Sequence, residues 1–119
     1  MNNLEEIFTH LKEILVPYMG RMVIVIDKPD NFYLNTHYIM KNKQPMYFGS
    51  TKINKNYVSF HLMPVYVFPE LLESISPALK KRMQGKSCFN FKAMDATLFQ
   101  ELKELTEAGY GKYKRADYL

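Results

Sequence analysis

The period of the apolar residues changes twice along this chain, and those changes constrain its architecture more than any other feature. Leu4, Ile7, Phe8, Leu11, Ile14, Leu15 and Tyr18 recur at helical spacing. Asn3 with Glu6 three residues later predicts a capping box, and Pro17 disfavours helix at Val16. Met22-Val-Ile-Val-Ile26 is β-branched and short, which reads as a buried strand. Phe32 to about Met40, Met46 to Lys52 and Tyr57 to Leu62 follow as strands, separated by short polar turns. In the last of these Val58, Phe60 and Leu62 share one face, and Tyr57, Ser59 and His61 share the other. Ser87 to Ala93 alternates again, with Phe89 and Phe91 opposed to Cys88, Asn90 and Lys92. Leu98, Phe99, Leu102, Leu105 and Ala108 then restore the helical period. Asp95 is the expected cap of that helix, Gly109 its expected end, and Gln100, Glu101, Lys103, Glu104 and Glu107 its solvated face.

Two short helices are expected between the fourth and fifth strands. Pro69 opens Glu70–Glu73, and Ser76-Pro77 opens Ala78–Met83, which Gly85 stops. Residues 110–119 read as a docked tail or a frayed end. Each long helix must bury one apolar stripe, and an antiparallel sheet supplies one apolar face while leaving the other wet. The expected fold is therefore α+β: a two-layer sandwich, with about five antiparallel strands and the N- and C-terminal helices packed on one face.

The 119 residues fit one domain, and 47% hydrophobic with 24% charged residues is ordinary for a globular chain. Cys88 is the only cysteine, so neither an intrachain disulfide nor a multi-cysteine zinc site can form. The N-terminus is acidic where a secretory signal would be basic, and no run approaches the length of a membrane helix. The expected location is the cytoplasm, with no membrane partner. A net charge of +4 is too mild to argue for nucleic acid by itself.

No motif names a cofactor or a set of catalytic residues. Gly85-Lys86-Ser87 has no glycine five residues before its Gly-Lys pair, because Lys80 stands there, so it is not a phosphate loop. His10, His37 and His61 show no metal-ligand spacing. The site most open to a ligand is the wet sheet face carrying Tyr57, Ser59 and His61, with Asn90, Lys92 and Lys86 at the sheet edge to meet an anion. Tyr33, Tyr38 and Tyr47 are candidates to join that face. Lys80-Lys-Arg82 with Lys86, and Lys112, Lys114 and Arg115 among Tyr110, Tyr113 and Tyr118, pair cations with rings in the way single-stranded nucleic acid requires. Cys88 or His61 would carry any enzymatic role, although no helix start lies beside Cys88 to activate it. Each residue also has an ordinary reading, as core, turn or solvated surface.

From Met46 onward the chain resembles the YdhG-like proteins, domain-of-unknown-function family 1801. Tyr47-Phe-Gly49, Tyr57–His61, Met63-Pro64, Leu79–Met83, Gly85–Phe91 and Leu98-Phe99 with Leu102 and Leu105 carry the resemblance. It implies a frataxin-like fold of helices on an antiparallel sheet, and iron handling in at least one member. Where many relatives have a Gly-Met-Pro element, this sequence reads Asn35-Thr-His-Tyr38. Its 12 acidic residues against 16 basic ones do not supply clustered carboxylates for iron. The expected function is a non-enzymatic binding module for a small anionic ligand, a metal ion (iron among them) or a protein partner. The alternatives are weak binding of single-stranded nucleic acid, or an enzyme of another kind.

Overall fold

A computed structural model describes residues 3–119; Met1 and Asn2 lie outside the described residues. The chain folds as an α+β sandwich whose five-stranded sheet has the order β1-β2-β3-β4-β5, antiparallel throughout. The strands are β1 (Val23–Lys28), β2 (Asn31–Ile39), β3 (Pro45–Ile53), β4 (Val58–Leu62) and β5 (Cys88–Phe91). Short polar turns make neighbours of β1 to β4, and β5 pairs with the free edge of β4 after the longer connection of residues 63–87.

The helices α1 (Asn3–Leu15) and α4 (Ala96–Arg115) pack on one face of that sheet. Asn3 is already helical, so it is not the cap expected there. α1 stops at Leu15, and the chain tightens into a 3-10 helix through Pro17. Phe32, Leu34, Phe60, Leu62, Phe89 and Phe91 point toward the helices and are buried with Ile7, Leu11 and Leu15. Gly49 lies between Leu34 and Leu62 across the ladder. A Cβ on it would stand 3.1 Å from Leu15 Cδ2 and from the His61 carbonyl, so glycine lets α1 sit close to β3.

β1 is not the buried strand its composition suggests. It forms the first edge of the sheet, and Val23, Ile24 and Val25 are each more than two-fifths exposed. The register slips between Ile24 and Ile26, so Val25 is an extra residue that breaks the alternation.

α4 does not end at Gly109. It runs on to Arg115, because Gly109 serves as a contact surface: a Cβ there would lie 2.7 Å from Pro64 Cβ. Residues 110–115 are therefore helix, and Tyr113 is fully buried. Pro64 belongs to α2 (Met63–Val67), a short helix that no apolar period in the sequence marks. The Pro69 segment is a 3-10 helix through Ser74. α3 (Pro77–Lys80) is capped by Ser76 as expected but ends before Met83. Asp95 caps α4, accepting the Leu98 N–H at 3.1 Å. Among the described residues, no helix is long and apolar enough to cross a membrane.

Candidate functional site

The sheet face opposite the helices carries two rows of side chains that can be read directly from the strand register. Ile26, Tyr33, Ser50, His61 and Cys88 stand side by side across β1 to β5. Asn31, Lys52, Ser59 and Asn90 form the parallel row. Neighbouring strands lie about 4.8 Å apart, so each row is a continuous band of functional groups. With Tyr47, Asn54, Tyr57 and Gln84 these rows line an open cleft of about 640 Å³.

The floor of the cleft is polar and recessed. Ser50 and Ser59 are only 7% and 8% exposed. The Ser59 hydroxyl accepts from the Asn54 amide at 3.2 Å and contacts the Lys52 carbonyl at 3.4 Å. Tyr47 and Ser50 share a short hydroxyl–hydroxyl hydrogen bond. One wall is aromatic: Tyr33 and Tyr47 stack at 4.7 Å with their planes 17° apart, and His61 lies 6.5 Å from Tyr47. Burial pushes the Tyr47 phenol well above its ordinary value of 10.0.

Burial also holds the His61 imidazole below its ordinary 6.5, so at neutral pH the ring offers one donor and one acceptor. Among the described residues neither ring nitrogen has a protein partner. Neither is a buried, unsatisfied atom. Cys88 is the cross-strand neighbour of His61, yet its thiol donates to Asn90 Oδ1 at 3.3 Å. Burial raises the thiol pKa, outweighing a backbone hydrogen bond with Phe60. A neutral thiol engaged with an amide is a poor nucleophile.

The structure brings Tyr57, Ser59, His61 and Asn90 together in the cleft, as their alternation implied. Lys86 and Lys92 are not part of it. Gly85, at φ +84°, turns the chain sharply and aims the Lys86 ammonium over the Tyr66 ring at 6.0 Å. Lys92 follows the end of β5 and lies round its edge, beside Lys81 and Arg82. Tyr38 packs against Tyr118, away from the cleft. Ser50, Asn31, Lys52 and Gln84 were missed from the sequence. Ser50 shares a face with Tyr47 only because the β2–β3 register slips between Gly49 and Tyr47.

In the second basic and aromatic group the tyrosine rings all make contacts within the protein. Tyr110 packs on Tyr18 and Phe48, Tyr113 is buried, Tyr118 contacts Tyr38, Phe68 and Tyr113, and Lys112 pairs with Glu70 at 3.3 Å. Among the described residues, no three His, Cys, Asp or Glu side chains converge to hold a metal ion. Comparison with protein-family models, with curated proteins and with solved structures finds no match for this chain.

Proposed function

We propose that the chain is a non-enzymatic, cytoplasmic binding module of the YdhG-like type, and that the cleft on its open sheet face holds a small organic ligand. One observation carries this reading: unpartnered His61 stands over a recessed polar floor and beside a stacked tyrosine pair. Aromatic walls with a few convergent polar groups suit a flat, hydrogen-bonding molecule. Ser59, His61 and Asn90 supply the hydrogen bonds, and Tyr47 supplies the apolar wall. The cleft lining holds hydroxyls, amides, an imidazole, a thiol and the Lys52 ammonium but no carboxylate, so an organic ligand suits it better than the iron of the family resemblance. The raised thiol pKa of Cys88 favours binding over covalent chemistry.

A thermal-shift screen of uncharged heteroaromatic probes, adenosine and nicotinamide among them, tests the reading. A probe at a hundred times its dissociation constant stabilises the fold by about 2.7 kcal/mol, several degrees for a domain of this size. The expected result is a shift that His61→Ala and Ser59→Ala each reduce. A shift that both variants retain in full would place the ligand elsewhere.

A further inference from the structure

The cleft does not end at β5. The Arg82–Gln84 segment folds back along β5 as a further edge, with Asn90 N–H donating to the Arg82 carbonyl at 2.8 Å and Gln84 N–H to the Cys88 carbonyl at 2.9 Å. Beyond it lies a second cavity of about 590 Å³, bordered by Lys81, Arg82 and Lys92 and by no carboxylate. The two cavities share Tyr57, Gln84 and Asn90 in their linings. Lys81, Arg82 and Lys92 also border a neighbouring cavity that holds Asp95, whose carboxylate caps α4. The ion pairs among the described residues are Lys12–Asp27 and Lys112–Glu70, so none of the three shelf cations is held in an ion pair.

Tyr57 stands at the junction. The chain has nine tyrosines, and among the described residues Tyr57 alone has no aromatic ring, cation or side-chain hydrogen bond against it. An unoccupied aromatic face between a polar cleft and a cationic shelf matches a molecule with a flat ring at one end and an anion at the other. Arginine and lysine recognise phosphate through charge-assisted hydrogen bonds.

We propose that the ligand is a small ring-bearing phosphate of the nucleotide class, its ring on Tyr57 and its phosphate on Lys81, Arg82 and Lys92. This rests on the cleft being a ligand site. The shelf adds the charge and the direction.

Isothermal titration with AMP, adenosine, inorganic phosphate and octathymidylate tests it on the full chain. Charge-assisted contacts predict that AMP binds at least about tenfold more tightly than adenosine. The triple variant Lys81→Gln/Arg82→Gln/Lys92→Gln, all at exposed positions, should bring AMP down to the adenosine level and leave adenosine unchanged. Tyr57→Leu should weaken both by about tenfold, the value of one stacked base. Inorganic phosphate should bind weakly and only to the parent shelf. Adenosine binding with no gain for AMP overturns the phosphate assignment and leaves the cleft standing, whereas silence from both overturns the two together. Salt-dependent binding of octathymidylate with none of AMP also overturns it, in favour of a nucleic-acid strand.

Discussion

His61 sits where its charged form is disfavoured, and the consequence is measurable. Its folded pKa lies below 6.5 because burial removes water from the ring. Between that lowered value and 6.5 the unfolded chain binds more protons than the folded one, so stability rises with pH across that window. The contribution is complete above 6.5 and is lost as pH falls through the window to the folded pKa. Urea denaturation at a series of pH values should show this slope, and His61→Gln should flatten it; an unchanged slope would mean another group carries it. Cys88 gives a second residue-scale outcome. Its raised pKa predicts that iodoacetamide modifies the folded protein at pH 7 far more slowly than the urea-unfolded chain. Equal rates would show an unshielded thiol with no raised pKa, and faster modification of the folded protein would show an activated thiol and reopen the enzymatic alternative. His61, Ser59 and Asn90 were legible in the sequence because β4 and β5 alternate cleanly. Ser50 was not, since the slip in β3 reverses which residues face the cleft, and alternation carries no mark of a bulge.

At the scale of elements, glycine misled where packing rather than backbone freedom required it. Helix propensity alone predicts that Gly109→Ala stabilises α4 by up to about 1 kcal/mol. The added Cβ would meet Pro64 Cβ at 2.7 Å, and overpacking of this kind costs about 1–3 kcal/mol, so the net effect should be destabilising. Chemical denaturation of the variant decides the sign. Gly85 does need its backbone freedom, at φ +84°, but in the turn before β5 and not as a helix stop, since α3 already ends at Lys80. Glu101 was expected on the solvated face, but its carboxylate receives the Ser76 N–H at 2.9 Å and the Ser76 hydroxyl. This pins the start of α3 to α4, just ahead of Lys81 and Arg82. Glu101→Ala should cost about 1.5–3 kcal/mol, the worth of hydrogen bonds to a charged group, with equilibrium denaturation as the readout. It should also weaken AMP binding without touching the shelf itself. β1 shows why a β-branched run does not declare its position: composition specifies a strand, and only topology says whether that strand has a neighbour on both sides.

Across the whole molecule, the helix layer and the cleft lie on opposite faces of one thin sheet, and β3 joins them. The Tyr113 hydroxyl of α4 donates to the Tyr47 carbonyl at 2.9 Å, on the strand that supplies the aromatic wall. Tyr113→Phe removes that bond and should cost about 1 kcal/mol by denaturation. Tyr113→Ala empties a fully buried position and should cost about 3–5 kcal/mol. The layered fold was legible because apolar periodicity is a global signal, repeated over α1, β4, β5 and α4. The cleft was only half legible, since its second half depends on register and on the fold-back of Arg82–Gln84, which residue order does not specify. The proposal that this protein meets its ligand on the open sheet face is tested by amide chemical-shift mapping during an adenosine titration. Saturable shifts centred on Ser50, Ser59, His61 and Asn90 are the expected result. Shifts confined to α1 and α4, or none at saturating adenosine, would contradict it.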